Sequence, residues 1–186
     1  MTETPVRVLG IAGSLRAKSS NRALLEAAAR DLAPEGMTIE LADLSGIPLY
    51  NDDVREAGLP DAVTTLCTQI AQADGVLIAT PEDNYSIPGV LKNAIDWVSR
   101  FPDQPFDGKP VAIFGGSPGR IGTARAQYHL RQVFVFLDAM VMNKPEVMVG
   151  GVYEIFDDAG GIKDDATADI MRAQLAAFKA WIEKHG

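Results

Sequence analysis

Five short apolar runs, each followed by a stretch with helical periodicity, constrain this chain's fold more than any other feature. Val6–Ala12 precedes Asn21–Leu32, Thr38–Leu41 precedes Asp61–Gln72, and Gly75–Thr80 precedes Gly89–Arg100; Val111–Phe114 then precedes Ala124–Asp138, and Val147–Val149 precedes Ala166–Lys184. Runs such as Val76-Leu-Ile-Ala79 and Val111-Ala-Ile-Phe114 are apolar throughout. A half-buried strand alternates apolar with polar residues, whereas a strand covered on both faces does not, and parallel sheets are built from the second kind. The pattern predicts an α/β fold: a doubly wound, five-stranded parallel sheet with helices on both faces. In such sheets ligands collect in the loops beyond the carboxyl ends of the strands. No repeat, linker or low-complexity tract interrupts the 186 residues, so residues 1–186 read as a single domain.

Charge and cysteine content narrow the classes of function. Lys and Arg number 17 against 25 Asp and Glu, a formal net charge of −8 at pH 7. That balance opposes nucleic acid and anionic membrane, and an anionic ligand would need a locally basic site. Cys67 is the one cysteine, so an intrachain disulfide or a cysteine-based zinc site is excluded and a reducing compartment fits. Cys67 lies on the apolar face of its helix with Val63 and Ile70 and reads as a core thiol. The acidic start at Glu3 does not suit a signal peptide, and no apolar run approaches the roughly 18 residues of a membrane span; a cytoplasmic protein is expected. The two histidines, His129 and His185, are far apart without ligand spacing, so no metal site is expected.

Function should therefore sit in three loops that follow strands. The first, Gly13–Asn21, has no acidic residue between Glu3 and Glu26 yet holds Arg16 and Lys18, with Arg22 beside it, and several hydroxyl and amide side chains. An Arg fork, hydroxyls and the free N–H groups of a helix N-terminus together make a phosphate site. Simple helix capping by Ser19, Ser20 or Asn21 is the alternative. A dinucleotide fingerprint is incomplete in Gly10-Ile-Ala-Gly13, and a Walker loop fails because Gly108-Lys109 is followed by Pro110. A mononucleotide held without a Walker lysine points towards FMN.

The second loop, Thr80–Gly89, offers a polar and aromatic turn at Pro81, Glu82, Asp83, Asn84 and Tyr85. Its backbone N–H groups could meet a flat heteroaromatic ring, or it could be only a rigid proline-bounded turn. Trp97, with Leu91, Ile95 and Val98 at helical spacing, reads as core. The third loop, Gly115–Gly122, has glycines that let backbone approach a planar ligand, and it also spells Gly-x-Ser-x-Gly around Ser117. That motif is the nucleophile elbow of α/β-hydrolases, for which Asp164 and His185 would have to serve as acid and base; Pro118, Gly119 and Gly122 delay the helix that an elbow needs.

Gly13-Ser-Leu-Arg16 with Ser19-x-Asn21, and Pro81-Glu82-x-Asn84-Tyr85-Ser86-x-Pro88-Gly89-x-Leu91-Lys92-Asn93-Ala94-Ile95-Asp96-Trp97, resemble the NAD(P)H-dependent FMN reductase family. Gln127–Arg131 and Phe136–Pro145 resemble its bacterial chromate and quinone reductase branch. The resemblance implies a flavodoxin-like fold and a phosphate site of Ser14, Arg16, Ser19 and Asn21, with Ser20 as an extra hydroxyl. It further implies an isoalloxazine turn from Pro81 to Ser86 and a third-loop contact from Ser117. It implies FMN as a non-covalent cofactor, NAD(P)H as hydride donor, and small-molecule acceptors that include quinones, chromate, azo compounds and flavins. The chemistry would then rest on the cofactor without a catalytic acid-base pair. A flavodoxin-like electron carrier without its own NAD(P)H turnover is the rival. Asp83 stands where the family usually has Tyr, and a negative side chain there would disfavour an anionic reduced flavin.

A homo-oligomer is also expected. Val133-Phe-Val-Phe-Leu137 running on to Met140-Val-Met142 is more apolar than one core contact needs, and Arg125, Tyr128 and Arg131 could pair with a neighbouring subunit's carboxylates. The resemblance favours dimers that associate into tetramers.

Overall fold

The computed structural model describes residues 5–186; Glu3, on which the reading of the chain's start leans, lies outside the described residues. Strand β1 (Val6–Ala12) leads through helix α1 (Ser20–Ala27) to β2 (Met37–Leu41), and helices α2 (Asp52–Ala57) and α3 (Asp61–Gln72) lead to β3 (Gly75–Ala79). Helix α4 (Gly89–Val98), β4 (Pro110–Gly116), α5 (Ala124–Phe136), β5 (Met140–Val141), β6 (Val147–Val149) and α6 (Asp165–His185) complete the chain. The main path of the sheet runs β2-β1-β3-β4-β5, and its pairings are parallel. This is the flavodoxin-like doubly wound order, with its switch point between β1 and β3.

Successive residues of the central strands bury on opposite faces, which accounts for their unbroken apolar runs. Leu9, Ile11, Val76, Ile78, Val111 and Ile113 pack with Val63, Leu66, Cys67 and Ile70 of α3, Leu91 and Ile95 of α4, and Leu130 and Phe134 of α5. Val8, Leu77, Ala79, Ala112 and Phe114 pack with Leu24 and Leu25 of α1 and with Met171, Leu175 and Phe178 of α6. Each face is one core, and the buried apolar side chains of the central strands divide between the two. Trp97 is fully buried and its indole N–H donates to the Pro48 carbonyl at 2.8 Å. Burial likewise pushes the Cys67 thiol up to about 12, which keeps it protonated and unreactive at neutral pH.

Three features depart from the sequence pattern. The predicted helix 21–32 finishes in a wider turn, a π-helix over Ala28–Leu32 that keeps Ala28 and Leu32 in the core. Helix α2 has no buried residue, so no apolar stripe announces it. Among the described residues six strands form where five were expected, because the place beside β4 is shared. β5 pairs with Pro110–Val111 and β6 with Phe114–Gly116. Met140–Val141 is thus strand, and Met142 is buried core, where the apolar run had suggested an outer surface.

The carboxyl ends of β3 and β4 approach so closely that a Cβ on Gly115 would lie 2.1 Å from the Thr80 carbonyl oxygen and 2.4 Å from Thr123 Oγ1. Backbone cannot yield there as a flexible side chain can. Gly115→Ala is expected to destabilise the chain by about 1–3 kcal/mol, the range for overpacking, read as a lower urea midpoint; an unchanged midpoint would show that the two strand ends can part freely.

Candidate functional site

The loops after β1, β3 and β4 meet in one cleft of about 430 Å³. Ser14, Arg16, Ser19, Ser20 and Asn21 line it from the first loop, Pro81, Glu82 and Asp83 from the second, and Ser117 from the third. Nine of the eleven predicted site residues therefore converge. Asn84 and Tyr85 sit at the tip of the second loop, outside that lining. The lining also includes Pro118, Tyr153, and Gly89 and Val90 of α4, none of which the sequence pattern assigned to the site. Tyr153 is an isolated aromatic in a loop, and only the fold places it over the cleft.

The first loop forms a basic mouth at a helix N-terminus. Ser19 is the N-cap of α1, its hydroxyl accepting from the Arg22 N–H at 3.3 Å. The guanidinium of Arg16 and the ammonium of Lys18 have no ion-pair or hydrogen-bond partner among the described residues, although the chain carries a net charge of −8. Arg22 is instead paired with Glu26 at 2.9 Å. Asn21 corrects the expectation of an amide aimed at a ligand. Its side chain is buried, Nδ2 donating to the Gly116 carbonyl at 2.9 Å and Oδ1 accepting from the Gly116 N–H at 2.8 Å. Both ends of the amide are committed, and what Asn21 can offer the cleft is its backbone N–H.

The second loop is a two-residue hairpin turn. Asp83 and Ser86 exchange backbone hydrogen bonds at 3.0 Å in both directions, and Asn84 and Tyr85 between them have φ of 50° and 68°. Non-glycine residues in that region cost about 1–3 kcal/mol each and persist where neighbours fix them. Helix α5 is the neighbour. The backbone N–H groups of Arg125 and Ala126 donate to Glu82 Oε2 at 3.0 and 3.1 Å, and the Arg125 guanidinium pairs with the same carboxylate. That guanidinium also lies 3.5 Å from the centre of the Tyr85 ring, and one turn further His129 Nδ1 is 2.9 Å from Ser86 Oγ. Glu82 is thereby turned away from the cleft, a carboxylate stabilised at a helix N-terminus. The N–H of Asp83 is likewise spent on Ser86, which leaves the amides of Asn84 and Tyr85 as free donors at the turn.

The three α5 residues expected to face a neighbouring subunit also have partners within the chain. Arg125 pairs with Glu82, Arg131 donates to the Met142 carbonyl and Asn143 Oδ1, and the nearby Glu146 carboxylate holds the Tyr128 phenol above its ordinary range.

Ser117 is not a nucleophile elbow. Its hydroxyl donates to the Gly122 carbonyl at 2.7 Å and accepts from the Gly119 N–H at 3.2 Å. Asp164 caps α6 at Thr167, and the His185 ring packs on Trp181 in a groove with Arg7 and Lys109 at the opposite ends of the strands. The three groups that a triad would require are not assembled.

Residues 6–154 match the family model described as NADPH-dependent FMN reductase. The chain is 56% identical over 179 residues to an NAD(P)H-dependent FMN reductase of Pseudomonas aeruginosa, covering 96% of each. It is 50% identical over 182 residues to a quinone reductase of Escherichia coli K12, again covering 96% of each. Among solved structures, a flavoenzyme NAD(P)H:(acceptor) oxidoreductase of Paracoccus denitrificans superposes with a TM-score of 0.89 at 38% identity, over 97% of this chain and 99% of that one.

The Asn21–Gly116 pair makes a stability prediction. Asn21→Ala would strand a buried N–H and a buried carbonyl, each worth about 1–3 kcal/mol. A drop of that order in unfolding free energy is expected from urea titration, and a change under about 0.5 kcal/mol would mean water replaces the amide.

Proposed function

Because the chain belongs to the NADPH-dependent FMN reductase family, we propose that its cleft holds FMN at the positions just described and that the enzyme reduces quinones at the expense of NAD(P)H. It is an FMN-dependent oxidoreductase. The observation that carries the placement is the unpaired Arg16 beside the N-terminus of α1, in a chain otherwise rich in negative charge. An FMN phosphate would take the Arg16 fork, the hydroxyls of Ser14 and Ser20, and the backbone N–H groups of Ser20 and Asn21, with Lys18 adding charge. Gly13 sets the floor: a Cβ there would press on Leu91 and Pro81, both at 3.2 Å. The flavin ring would lie along the second loop, against Pro81 and Asp83, within reach of the free amides of Asn84 and Tyr85, with Ser117, Pro118 and Tyr153 closing the other side.

FMN supplies the hydride and electron chemistry when bound. The protein holds the phosphate, aims the ring through a turn that α5 locks, and leaves an open face to exchange one substrate for the other. A side chain that relays protons is not required, and Asp83 is the exposed carboxylate of the loop that would border the ring. Chromate, azo compounds and free flavins are proposed as further acceptors, since an open face with few specifying groups discriminates weakly. A cytoplasmic setting is proposed from the single, buried thiol; among the described residues no helix is long and apolar enough to cross a membrane. Turnover of NAD(P)H by the protein alone separates this enzyme from an electron carrier.

The purified protein is expected to be yellow, to bleach on adding NADPH and to regain its colour with a quinone. In the same assay Arg16→Ala should weaken FMN about 10- to 100-fold, as the loss of a charge-assisted contact implies, and more than Lys18→Ala does. Equal FMN dissociation constants for the parent and Arg16→Ala would remove the phosphate from this loop.

We also propose a homo-oligomer, a dimer or tetramer. Val135 and Phe136 at the end of α5 are 78% and 93% exposed while Phe134 and Leu137 beside them are buried, and an outward apolar pair of that kind favours a partner. Sedimentation at micromolar concentration should give a multiple of 19.9 kDa; a monomer would refute it.

A further inference from the structure

Among the described residues, three that line the cleft carry charge: Arg16, Glu82 and Asp83. We propose that Asp83 is the residue that selects acceptors by their charge, so that the open face takes neutral acceptors in preference to anionic ones. The inference rests on the assignment of the cleft to FMN. Of the acceptors proposed above, chromate is then the one that the site opposes.

The other two charges are answered where they stand. The Glu82 side chain is 5% exposed, paired with the Arg125 guanidinium and met by the N–H groups of Arg125 and Ala126. Arg16 belongs to the phosphate loop, and a phosphate monoester carries about −1.5 to −2 at pH 7, a load that takes both Arg16 and Lys18 to balance. Neither cation is left over for the ring end of the cleft. Asp83 has no such answer. Its backbone N–H and carbonyl are spent on Ser86, but its exposed carboxylate has no hydrogen bond or ion pair among the described residues. The next cation along the chain, Lys92, is met by both carboxylate oxygens of Asp96 at 2.7 and 2.8 Å. With FMN in place, Asp83 is the unbalanced charge of the lining.

An acceptor stacked on the ring beside the second loop comes within the screening length of that carboxylate, roughly 8–10 Å at physiological salt. Two like unit charges about 8 Å apart, at an effective dielectric of about 30, repel enough to weaken binding about tenfold. A neutral quinone escapes this cost because its oxygens carry only partial charge. The donor escapes it for another reason: a nicotinamide gains positive charge as its hydride leaves, and a carboxylate nearby favours that change. The bias therefore falls on the acceptor.

The test compares 1,4-naphthoquinone, which is neutral, with 2-hydroxy-1,4-naphthoquinone at a pH where its hydroxyl is ionised. Asp83→Asn keeps the size of the side chain and removes its charge, and the backbone bonds of the turn do not use that carboxylate. At low salt, Asp83→Asn should raise the ratio of kcat/KM for the anion to that for the neutral quinone about tenfold. Equilibrium dialysis against oxidised holoenzyme should show the anion bound about tenfold more tightly by Asp83→Asn than by the parent. In the parent, the same kcat/KM ratio should climb as salt is raised from about 0.01 to 1 M, because the Debye length falls from about 30 to 3 Å; in Asp83→Asn it should climb less. A ratio in Asp83→Asn equal to the parent's, an anion that both forms bind equally, or a parent ratio indifferent to salt would overturn the assignment. Bound FMN, read from absorbance in the same samples, reports on the cleft separately: full FMN with an unchanged ratio removes the role of Asp83 alone, and a parent protein without FMN removes both.

Discussion

The reciprocal hydrogen bonds between the Asn21 amide and the backbone of Gly116 are the tie on which the site depends. A helix N-terminus can cradle an anion only if its first N–H groups face a cleft that stays open, and a strand end can border that cleft only if its last peptide is satisfied from elsewhere. One buried side chain does both. It fixes the start of α1 against the end of β4, next to the switch point between β1 and β3, and leaves the N–H groups of the first turn directed outward. Gly116 lies under equal constraint, since a Cβ there would come within 2.5 Å of Val152. The cleft is thus bounded by backbone held in place from below.

The second boundary is held from the side. Two consecutive residues at positive φ, neither a glycine, would relax in an isolated hairpin. Here α5 grips the turn through Glu82, Tyr85 and Ser86, using its first N–H groups, Arg125 and His129. A cation over the Tyr85 ring adds roughly 0.5–1 kcal/mol, and the buried carboxylate at the helix N-terminus adds charge-assisted bonds. The turn's geometry is consequently a property of α5 as much as of its own sequence. Any ligand that reads the free amides of Asn84 and Tyr85 meets donors that are already oriented, and preorganised donors lose little entropy on binding.

Much of this was legible in the sequence because it follows from burial. The parallel order, the helix positions and the convergence of three loops follow from apolar runs and from where the strands end, and β1, α3 and β6 begin and end where the pattern places them. The basic first loop was legible because charge contrast survives folding. Side-chain direction was not. Asn21 and Glu82 sit within recognisable motifs, yet both side chains point into the scaffold, one to Gly116 and one to α5, through partners 95 and 43 residues distant. Such pairings depend on tertiary placement, which local spacing cannot encode. Tyr153 and the split edge of β5 and β6 escaped for a related reason: a lone aromatic in a loop and a two-residue strand have no period to detect.

The electrostatics of the cleft follow from the same arrangement. Glu82 and Asp83 are adjacent acids, and two carboxylates facing the cleft would oppose any phosphate or electron-rich ring bound there. By burying Glu82 against Arg125 and the N-terminus of α5, the fold neutralises one of them where it stands, leaving Asp83 exposed at the edge. Arg22 is likewise quenched by Glu26, whereas Arg16 and Lys18 are left unpaired. In a chain of net charge −8 the local balance at the mouth is therefore positive because Glu82 is tied to α5 while Arg16 and Lys18 stay unpaired. The net negative charge disfavours anions over the surface as a whole, and screening over roughly 8–10 Å at physiological salt keeps the attraction of Arg16 and Lys18 local to the mouth. Selectivity for a phosphate-bearing ligand at this one place thus comes from which charges the fold pairs, more than from how many it carries.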